Sequence, residues 1–500
     1  MNRPAGIETE YGLNCEGFAG EPDFAYEAAR LIQAAPVEGA FRGWDYVGED
    51  PYRDLRGGRA DRLERDPRDL TGSTDRSSRM SRDELLSNTV LRNGARLYND
   101  HNHPEYCTDV CLTLKDLVAQ DKAGERVMFA AETARNAMLG YGQIRLLKNN
   151  TDYHGRSYGC HENYLTSRRI PTDDLIRVTV PFLATRQVFA GAGRVGIEGG
   201  DALQLQMSQR ADFFEEVTGI NTTARRPIFN TRDEPHADPG KYRRLHVIAG
   251  DANRSEWATA MKVGTMALTL DLAMEGWRPS ERLTDPVRAV RRVSHDLEFG
   301  GVVDLERGGP VSGLDVQRWY CEAAQRYRGR DAETTWVLDE WAAVLEDLGR
   351  DRSRAADRVD WVAKQRLIAE MREDFGPEWK DEDARRVDLG YHVLDPAWCV
   401  YDMLVDEGEM RRIVSDADIE RALSTPPTGT RAAVRGDVLR RFGEDISAVE
   451  WDRVVFRRNG YDVTLRFDDV VGPEVDRLGR LVTEAETLEG LLTALDAEGR

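Results

Sequence analysis

Alternating apolar and polar residues mark several short segments of this chain, and the longer segments between them carry apolar residues at helical spacing. The first segment, Gly6 to Gly12, alternates apolar and acidic residues with period two, which predicts a strand. The same pattern predicts further strands at 95–100, 144–148, 157–165 and 245–249. Helical spacing predicts helices at 24–34, 113–138, 175–190, 255–276 and over most of 315–375. This mixture of strands and helices predicts an α+β fold.

Turn signals divide the chain into a large first domain and a small second one. Asn93-Gly94 predicts a hairpin turn in front of the strand at 95–100. Pro426-Pro427-Thr428-Gly429 is the clearest linker-like sequence, so we predict domains at 1–425 and 426–500. The second domain is predicted to contain a helix at 430–441, two short strands near Val454 and Val463, and a terminal helix.

A long polar insertion covers residues 44–87. Its arginines recur every third residue over part of its length, with acidic residues between them, at positions 53, 56, 59, 62, 65 and 68. Charged segments with few apolar residues cannot bury enough surface to offset the entropy of ordering. Composition alone therefore favours a solvated or partly disordered insertion.

The formal net charge of −20 restricts the partners that this chain can have. Nucleic-acid backbones require a basic face, so we predict no nucleic-acid partner. An anionic substrate would have to meet a locally positive site. A nucleotide held through a divalent cation would satisfy that requirement.

Composition also favours a cytoplasmic protein. No apolar run approaches the roughly 18–20 residues needed to span a bilayer, so no membrane association is predicted. The N-terminus runs directly into the first predicted strand, without the apolar segment of a signal peptide. The six cysteines lack the two-residue gap of a zinc or redox motif, and we interpret them as small buried residues.

The polar strands carry the candidate chemistry. Residues i and i+2 of a strand share one face, so each of four strands presents functional groups together. These groups are Glu8 with Glu10, Arg96 with Tyr98 and Asp100, His161 with Asn163, and Arg244 with His246. Glu105 adds a carboxylate just after the second of these strands. Carboxylates and imidazoles suit magnesium or manganese, whereas arginines suit phosphate oxygens.

Each of these signals also has an ordinary structural explanation. A Glu-x-Glu strand is usually a solvent-facing pattern, a strand histidine is usually a satisfied polar residue, and Arg96 with Asp100 could be a simple ion pair. The sequence alone does not show that the four strands are neighbours. Gly191 to Gly196 matches a dinucleotide-binding pattern, but it follows a predicted helix instead of a strand, so we predict a tight turn there.

Several longer motifs resemble one known family. They are Gly6-Ile7-Glu8-Thr9-Glu10-Tyr11-Gly12, Asn93-Gly94-Ala95-Arg96-Leu97-Tyr98, His103-Pro104-Glu105-Tyr106, Lys148-Asn149-Asn150-Thr151-Asp152, Ser157-Tyr158-Gly159-Cys160-His161-Glu162-Asn163-Tyr164, Asn230-Thr231-Arg232-Asp233-Glu234-Pro235-His236-Ala237-Asp238 and Arg243-Arg244-Leu245-His246-Val247. Together they resemble the Pup ligase and Pup deamidase/depupylase family, and the similarity extends to Pro426-Pro427 and Trp451. The motifs are long enough to be highly specific.

The resemblance implies a glutamine-synthetase-like domain whose curved, mainly antiparallel sheet is flanked by helices and cradles ATP (or ADP) and magnesium. A small α/β C-terminal domain would pack against it. By the resemblance, the metal ligands would be Glu8, Tyr98, Glu105, His161 and His246. The nucleotide would contact Gly6, Ile7, Glu8, Thr9, Glu10, Thr108, Asn163, Arg244 and Trp451, with Arg96 nearby. Asp100 would be the catalytic carboxylate.

Details of the insertion favour the depupylase branch of this family. The stretch Glu49 to Gly57 resembles the depupylase loop motif, apart from Leu55, and this likeness argues against disorder at the start of the insertion. Asp100 to Glu105 also has depupylase spacing, one residue shorter than in the ligase. In contrast, Glu215 to Gly219 departs from the depupylase pattern, and the tail after Val463 is more similar to the ligase.

The implied activity is hydrolysis of the side-chain amide of Pup's C-terminal glutamine and of the isopeptide bond between Pup and substrate lysines. ATP would be a bound cofactor that is not consumed. Asp100 would act as nucleophile or as general base, and the sequence does not separate these roles. The alternatives are a Pup ligase working through a γ-glutamyl phosphate, a catalytically silent Pup-binding regulator, and a small-molecule carboxylate-amine ligase. Partners would be Pup, pupylated proteins and, as a further candidate, a proteasomal ATPase.

Overall fold

The computed structural model describes residues 3–64, 77, 79–458 and 460–497. In this part of the chain the strands are β1 (Ala5–Glu10), β2 (Gly12–Glu16), β3 (Thr89–Val90), β4 (Arg96–Asp100), β5 (His103–Cys107), β6 (Gln143–Leu147), β7 (Cys160–Ser167), β8 (Arg194–Val195), β9 (Leu205–Gln206), β10 (Phe214–Gly219), β11 (Arg226–Asn230), β12 (Tyr242–Val247), β13 (Ile446–Glu450), β14 (Arg453–Arg458) and β15 (Tyr461–Arg466). The helices are α1 (Phe24–Ala34), α2 (Arg82–Leu86), α3 (Leu114–Met138), α4 (Thr172–Thr185), α5 (Gln187–Ala190), α6 (Glu256–Met274), α7 (Pro286–His295), α8 (Gly313–Ala324), α9 (Ala332–Arg350), α10 (Asp360–Phe375), α11 (Asp381–His392), α12 (Val400–Asp406), α13 (Asp416–Ala422), α14 (Arg431–Phe442), α15 (Pro473–Glu484) and α16 (Leu488–Ala497). The predicted α+β class is confirmed.

A six-stranded sheet organises the large part of the molecule. Its strands follow the order β12-β7-β1-β5-β4-β3, and each neighbouring pair is antiparallel. One face packs into the main core, where Ile7 is 1% exposed and lies in the same apolar cluster as Val118 of α3 and Met261 of α6. Because strand side chains alternate between faces, the polar residues of β1 are directed to the opposite face.

Most predicted helices are found at the predicted positions. The long helix α6 starts at its N-cap Ser255, whose side chain accepts a hydrogen bond from the N–H of Ala258 at 3.1 Å. Gly276 follows its end with φ +82°, a conformation that favours glycine. The single helix predicted at 175–190 is wrong in detail. The structure divides that stretch into α4 and α5 at Arg186, which keeps helical backbone angles.

A second, smaller sheet forms near the C-terminus. It has the order β13-β14-β15, so the prediction of two short strands missed β13. Its core contains residues of α14, α15 and α16 together with Val90 from β3. The division into domains at residue 426 stays a prediction. Among the described residues, no helix is long and apolar enough to cross a bilayer.

The first part of the insertion packs against the rest of the protein. The N–H of Leu55 donates to the carbonyl of Thr231 at 2.7 Å, and Trp44 forms a parallel bridge with Val449. Residues 44–64 are therefore ordered, which contradicts the disorder that composition allowed there, but none of them is buried, so the segment is solvated as predicted. The arginines at 65 and 68 lie outside the described residues, as do all of 65–76 and 78.

Candidate active site

The sheet brings the polar side chains of five strands to one face. Residues directly opposite each other in an antiparallel pair project to the same side, and the register pairs most predicted site residues with one another, and Glu8 also with Cys107, which was not predicted. The pairs are Glu8 with His161, Glu8 with Cys107, Glu10 with Glu105, Tyr98 with Glu105, Gly6 with Asn163, and His246 with Asn163. The prediction that these groups share a surface is confirmed, and β5 lies between β1 and β4.

Glu8 and two histidines form the first cluster on this face. An oxygen of Glu8 lies 3.1 Å from Nδ1 of His161 and 3.5 Å from Nδ1 of His246. The centroids of the two imidazole rings are 5.0 Å apart. Burial opposes ionisation of Glu8, but His246 and His161 outweigh it and hold the pKa of Glu8 well below its usual value. Burial lowers the pKa of His246 well below its usual value.

Three carboxylates form a second cluster beside the first. Ligand oxygens of Glu10, Asp100 and Glu105 lie within 4.8 Å of one another. Burial, together with Asp100, Glu8 and Glu10, raises the pKa of Glu105 well above its usual value. Convergence of like charges in a buried place is costly unless a cation offsets it.

The donor set fits a divalent cation. Nε2 of His161 is buried and has no hydrogen-bond partner in the part of the chain that the structure describes. Buried polar atoms normally have partners, and a metal ion would give this nitrogen one. Carboxylates with imidazoles are ligands that magnesium and manganese accept in oxygen-rich sites. Glu8, Glu105, His161 and His246 would hold such an ion.

A hollow of about 630 Å³, counting its open mouth, adjoins the first cluster. Its walls include seven residues predicted to contact nucleotide: Gly6, Ile7, Glu8, Thr108, Asn163, Arg244 and Trp451. The Thr108 hydroxyl accepts a hydrogen bond from the N–H of Ile7 at 3.0 Å and so fixes one wall.

Arg244 supplies positive charge to the hollow. One of its terminal nitrogens donates to Oδ1 of Asn163 at 2.7 Å, and its Nε donates to the carbonyl of Glu234 at 2.8 Å. The other terminal nitrogen lies 3.5 Å from Oε2 of Glu234, so the guanidinium is held in a fixed orientation. Such a fork suits phosphate oxygens.

Arg96 and Tyr98 lie beside the carboxylate cluster, outside the lining of the hollow. The Arg96 guanidinium is 3.9 Å from the ring centroid of Tyr98 and 4.0 Å from that of Trp44 in the insertion. Asn88 accepts two of its hydrogen bonds, at 2.6 and 2.9 Å. Because Trp44 contacts Arg96, the insertion packs onto β4, the strand that carries Asp100. Burial, with Asp100 and Glu105 nearby, raises the pKa of Tyr98, so its hydroxyl is a neutral phenol.

Asp100 ends β4 at a tight hairpin. The paired residues Asp100 and His103 enclose His101 and Asn102, which have φ +47° and +70°. Nδ1 of His101 lies 3.0 Å from Oδ1 of Asp100, and about a third of each side chain is exposed, 37% and 33%. Burial opposes ionisation of Asp100, but His101 outweighs it and lowers the pKa. Asp100 is thus an ionised carboxylate at an accessible edge of the site.

Some predicted residues lie elsewhere, and some site residues were missed. The Thr9 side chain is on the opposite face, against Cys160 at 3.5 Å, as period two requires. Glu10 lies with the carboxylates instead of in the hollow.

His236, Arg431 and Cys107 line the hollow but were not predicted. His236 lies in one of the long motifs, whereas Arg431 carried no recognisable signal.

Sequence comparison identifies the family. The family described as Pup-ligase protein matches residues 3–455. This chain belongs to the Pup-ligase protein family. A Pup deamidase/depupylase of Mycobacterium tuberculosis is 40% identical over an alignment of 521 positions that covers 100% of both chains. A Pup--protein ligase of Acidimicrobium ferrooxidans is 42% identical over 408 residues, covering 79% of this chain and 90% of the ligase.

Solved structures agree with this membership. The ligase PafA in complex with Pup superimposes with a TM-score of 0.77 and 30% identity, over 99% of this chain and 95% of the ligase. PafA in complex with ADP has a TM-score of 0.71 and 33% identity, over 80% of this chain and 90% of the ligase. The glutamine-synthetase-like α+β fold is thereby confirmed.

Proposed function

We propose that the chain is a Pup deamidase/depupylase. It would hydrolyse the side-chain amide of Pup's C-terminal glutamine and the isopeptide bond that joins Pup to substrate lysines. The observation that carries this proposal is the accessible carboxylate of Asp100 beside clustered carboxylates and imidazoles and the adjoining hollow. The full-length match to a relative named Pup deamidase/depupylase supports it.

We propose ATP or ADP and magnesium as cofactors. Glu8, Tyr98, Glu105, His161 and His246 would hold metal. The residues Gly6, Ile7, Glu8, Thr9, Glu10, Thr108, Asn163, Arg244 and Trp451 would contact nucleotide, with Arg96 nearby. The ADP complex of the structural neighbour supports the nucleotide. Thr9 can contribute only through its main chain, because its side chain faces the core.

Asp100 performs the central step of the proposed reaction. Amides are poor electrophiles, so the site must activate a nucleophile and stabilise negative charge on the carbonyl oxygen. Asp100 either attacks the carbonyl carbon directly or removes a proton from an attacking water. A bound magnesium ion would supply positive charge for the developing oxyanion. Pup and pupylated proteins are the proposed partners, a proteasomal ATPase is a further candidate, and the cytoplasm is the proposed location.

Ligation is the second candidate function. The alignment to a Pup--protein ligase and the superposition on PafA favour it. Against it, the ligase alignment leaves about a fifth of this chain uncovered, whereas the deamidase/depupylase alignment covers all of it. The packed insertion at residues 44–64 also has the depupylase-like motif.

One assay separates these functions. The purified chain is incubated with ATP, magnesium, glutamine-ended Pup and a purified conjugate, in parallel with Asp100→Asn. We expect ammonia and free target from the wild type and a loss of at least about 100-fold in the variant, the lower range for a positioned proton acceptor. Formation of new conjugates alone would establish the ligase. No turnover of any kind would favour the silent regulator, and full turnover by Asp100→Asn would remove Asp100 from the chemistry.

A further inference from the structure

Arg431 is a buried arginine on the wall of the hollow. It is 6% exposed, and in the part of the chain that the structure describes no carboxylate forms an ion pair with it. The nearby acids pair with other arginines: Asp109 with Arg435 at 2.6 Å, and Glu450 and Asp452 with Arg453 at 2.5 and 3.7 Å. Burial lowers the pKa of Arg431 to about 10, which leaves the guanidinium charged near neutral pH. A buried charge without a partner is costly, and a ligand in the hollow would supply one.

Two main-chain carbonyls hold the Arg431 guanidinium in place. Its terminal nitrogen Nη1 donates to the carbonyls of His236 and Phe467, the second at 3.1 Å. Its Nε is buried and has no partner among the described residues. Within those same residues no hydrogen bond uses the other terminal nitrogen, Nη2. Because Nη1 is anchored, Nη2 is the donor that this arginine keeps for a ligand.

Arg431 lies at the end of the hollow that is remote from the cluster of Glu8 with its two histidines. Ala5 lines the remote end and precedes Glu8 by three residues of β1, about 10 Å along a strand. Val110 also lines the hollow, and the residue after Val110 forms a bridge with Ala5. The carbonyl of Val110 accepts a hydrogen bond at 3.2 Å from the hydroxyl of Thr430, which directly precedes Arg431. Arg431 is thus near Ala5 and away from Glu8.

The walls of the hollow toward this end are largely apolar. They include Pro4, Ala5, Val110, Leu165 and Val470. Trp451 lines the hollow as well, and Arg435 covers its ring at 4.8 Å from the centroid. Nucleotide bases stack on aromatic rings, whereas phosphates complete the coordination of a divalent cation. The base of a nucleotide therefore suits the end that holds Arg431, and its phosphates suit the end that holds Glu8.

We propose that Arg431 donates a hydrogen bond through Nη2 to a ring nitrogen of the purine base of the bound nucleotide. The proposal rests on the nucleotide cofactor proposed above, and it adds the residue that recognises the base. A guanidinium has donors only, and purine ring nitrogens are acceptors. The contact gives the buried charge of Arg431 a partner and selects a base with an acceptor at that position.

Nucleotide analogues test this contact through binding alone. Calorimetry with magnesium compares ADP with 1-, 3- and 7-deaza-ADP, in each of which one ring nitrogen is replaced by a C–H group. The proteins are wild type, Arg431→Met and the matched control Arg440→Met, since Arg440 is exposed on the same helix. We expect one analogue to bind wild type and Arg440→Met about 10–100-fold more weakly than ADP, the range for a hydrogen bond to a charged group. Arg431→Met should bind ADP weakly by the same factor, and should bind that analogue within about threefold of ADP.

The results separate the contact of Arg431 from the cofactor itself. If wild type binds all three analogues within about threefold of ADP, no ring nitrogen is recognised and the proposal is overturned. It is equally overturned if the loss on the analogue persists in Arg431→Met, because another residue then makes the contact. If wild type binds no ADP, the proposed cofactor fails as well. Circular dichroism checks folding, and Arg431→Lys replaces a Met variant that does not fold, because its ammonium keeps the charge and can donate to a carbonyl while lacking Nη2.

Discussion

Gly159 is required by the candidate metal site, and Gly159→Ala tests that site with a single methyl group. A Cβ at this position would lie 2.2 Å from Nε2 of His161 and 2.7 Å from Oε1 of Glu10. Its backbone lies outside the positive-φ region, so an alanine there meets a steric contact and no conformational strain. The variant therefore acts through His161, a predicted metal ligand, and through the neighbouring carboxylate of Glu10.

The size of the effect follows from these distances. Non-bonded carbon contacts lie at about 3.5–4.0 Å, so the imidazole would have to move by roughly 1 Å or more. It cannot move freely, because His161 is only 9% exposed and packs against His246 at 5.0 Å. Metal–ligand distances tolerate only about ±0.2 Å, and disturbing the groups that hold a ligand typically costs about 10–100-fold in affinity. Overpacking should also lower stability by about 1–3 kcal/mol.

Manganese titration by calorimetry in the presence of ADP measures this effect. Gly140→Ala is the matched control, because an added Cβ there would meet nothing within 4 Å and Gly140 is exposed. We expect a 10–100-fold weaker manganese affinity for Gly159→Ala and no change for Gly140→Ala. Wild-type affinity in a folded Gly159→Ala protein would refute the placement of the metal beside His161.

Three further perturbations test other contacts. Thr108→Val removes the acceptor of the Ile7 N–H and should weaken ADP binding measured by calorimetry, whereas Thr108→Ser should not. Arg435→Met leaves the buried Asp109 carboxylate without its 2.6 Å partner and should cost about 3–5 kcal/mol in chemical denaturation, part of which Asp109→Asn should restore. Burial lowers the pKa of His236 to about 3, so the unfolded chain binds a proton that the folded chain does not between roughly pH 6.5 and 3. Stability should fall as pH drops through that window, and His236→Asn should flatten the fall measured by circular dichroism; an unchanged slope would contradict this.

The face of the sheet could be predicted because strand alternation is a local property. Once Glu8 and Glu10 are assigned to a strand, their common direction follows from the period of two. The order of the strands is different, because it depends on contacts between residues far apart in the sequence. β1 pairs with β7 across about 150 residues, and no local pattern encodes that pairing.

The composition of the insertion suggested disorder because composition reflects the number of charges and not the positions of the aromatic residues. Trp44 lies over Arg96, and the Trp44 ring also meets Trp451 at 5.3 Å. These contacts join Trp44, Arg96 and Trp451, which are distant in sequence, and they stabilise the polar insertion. Arg431 was missed for a related reason. It reaches the hollow from α14, and no strand pattern or motif places it there.

The account depends on one claim: the polar face of the sheet binds a metal–nucleotide complex beside Asp100. The most direct measurement is a crystal structure with manganese and a non-hydrolysable ATP analogue, with manganese located by its anomalous scattering. We expect a peak within ligand distance of Glu8, His161 and His246, and the nucleotide base in the hollow beside Trp451. Manganese bound elsewhere, or a nucleotide outside this hollow, would contradict the account.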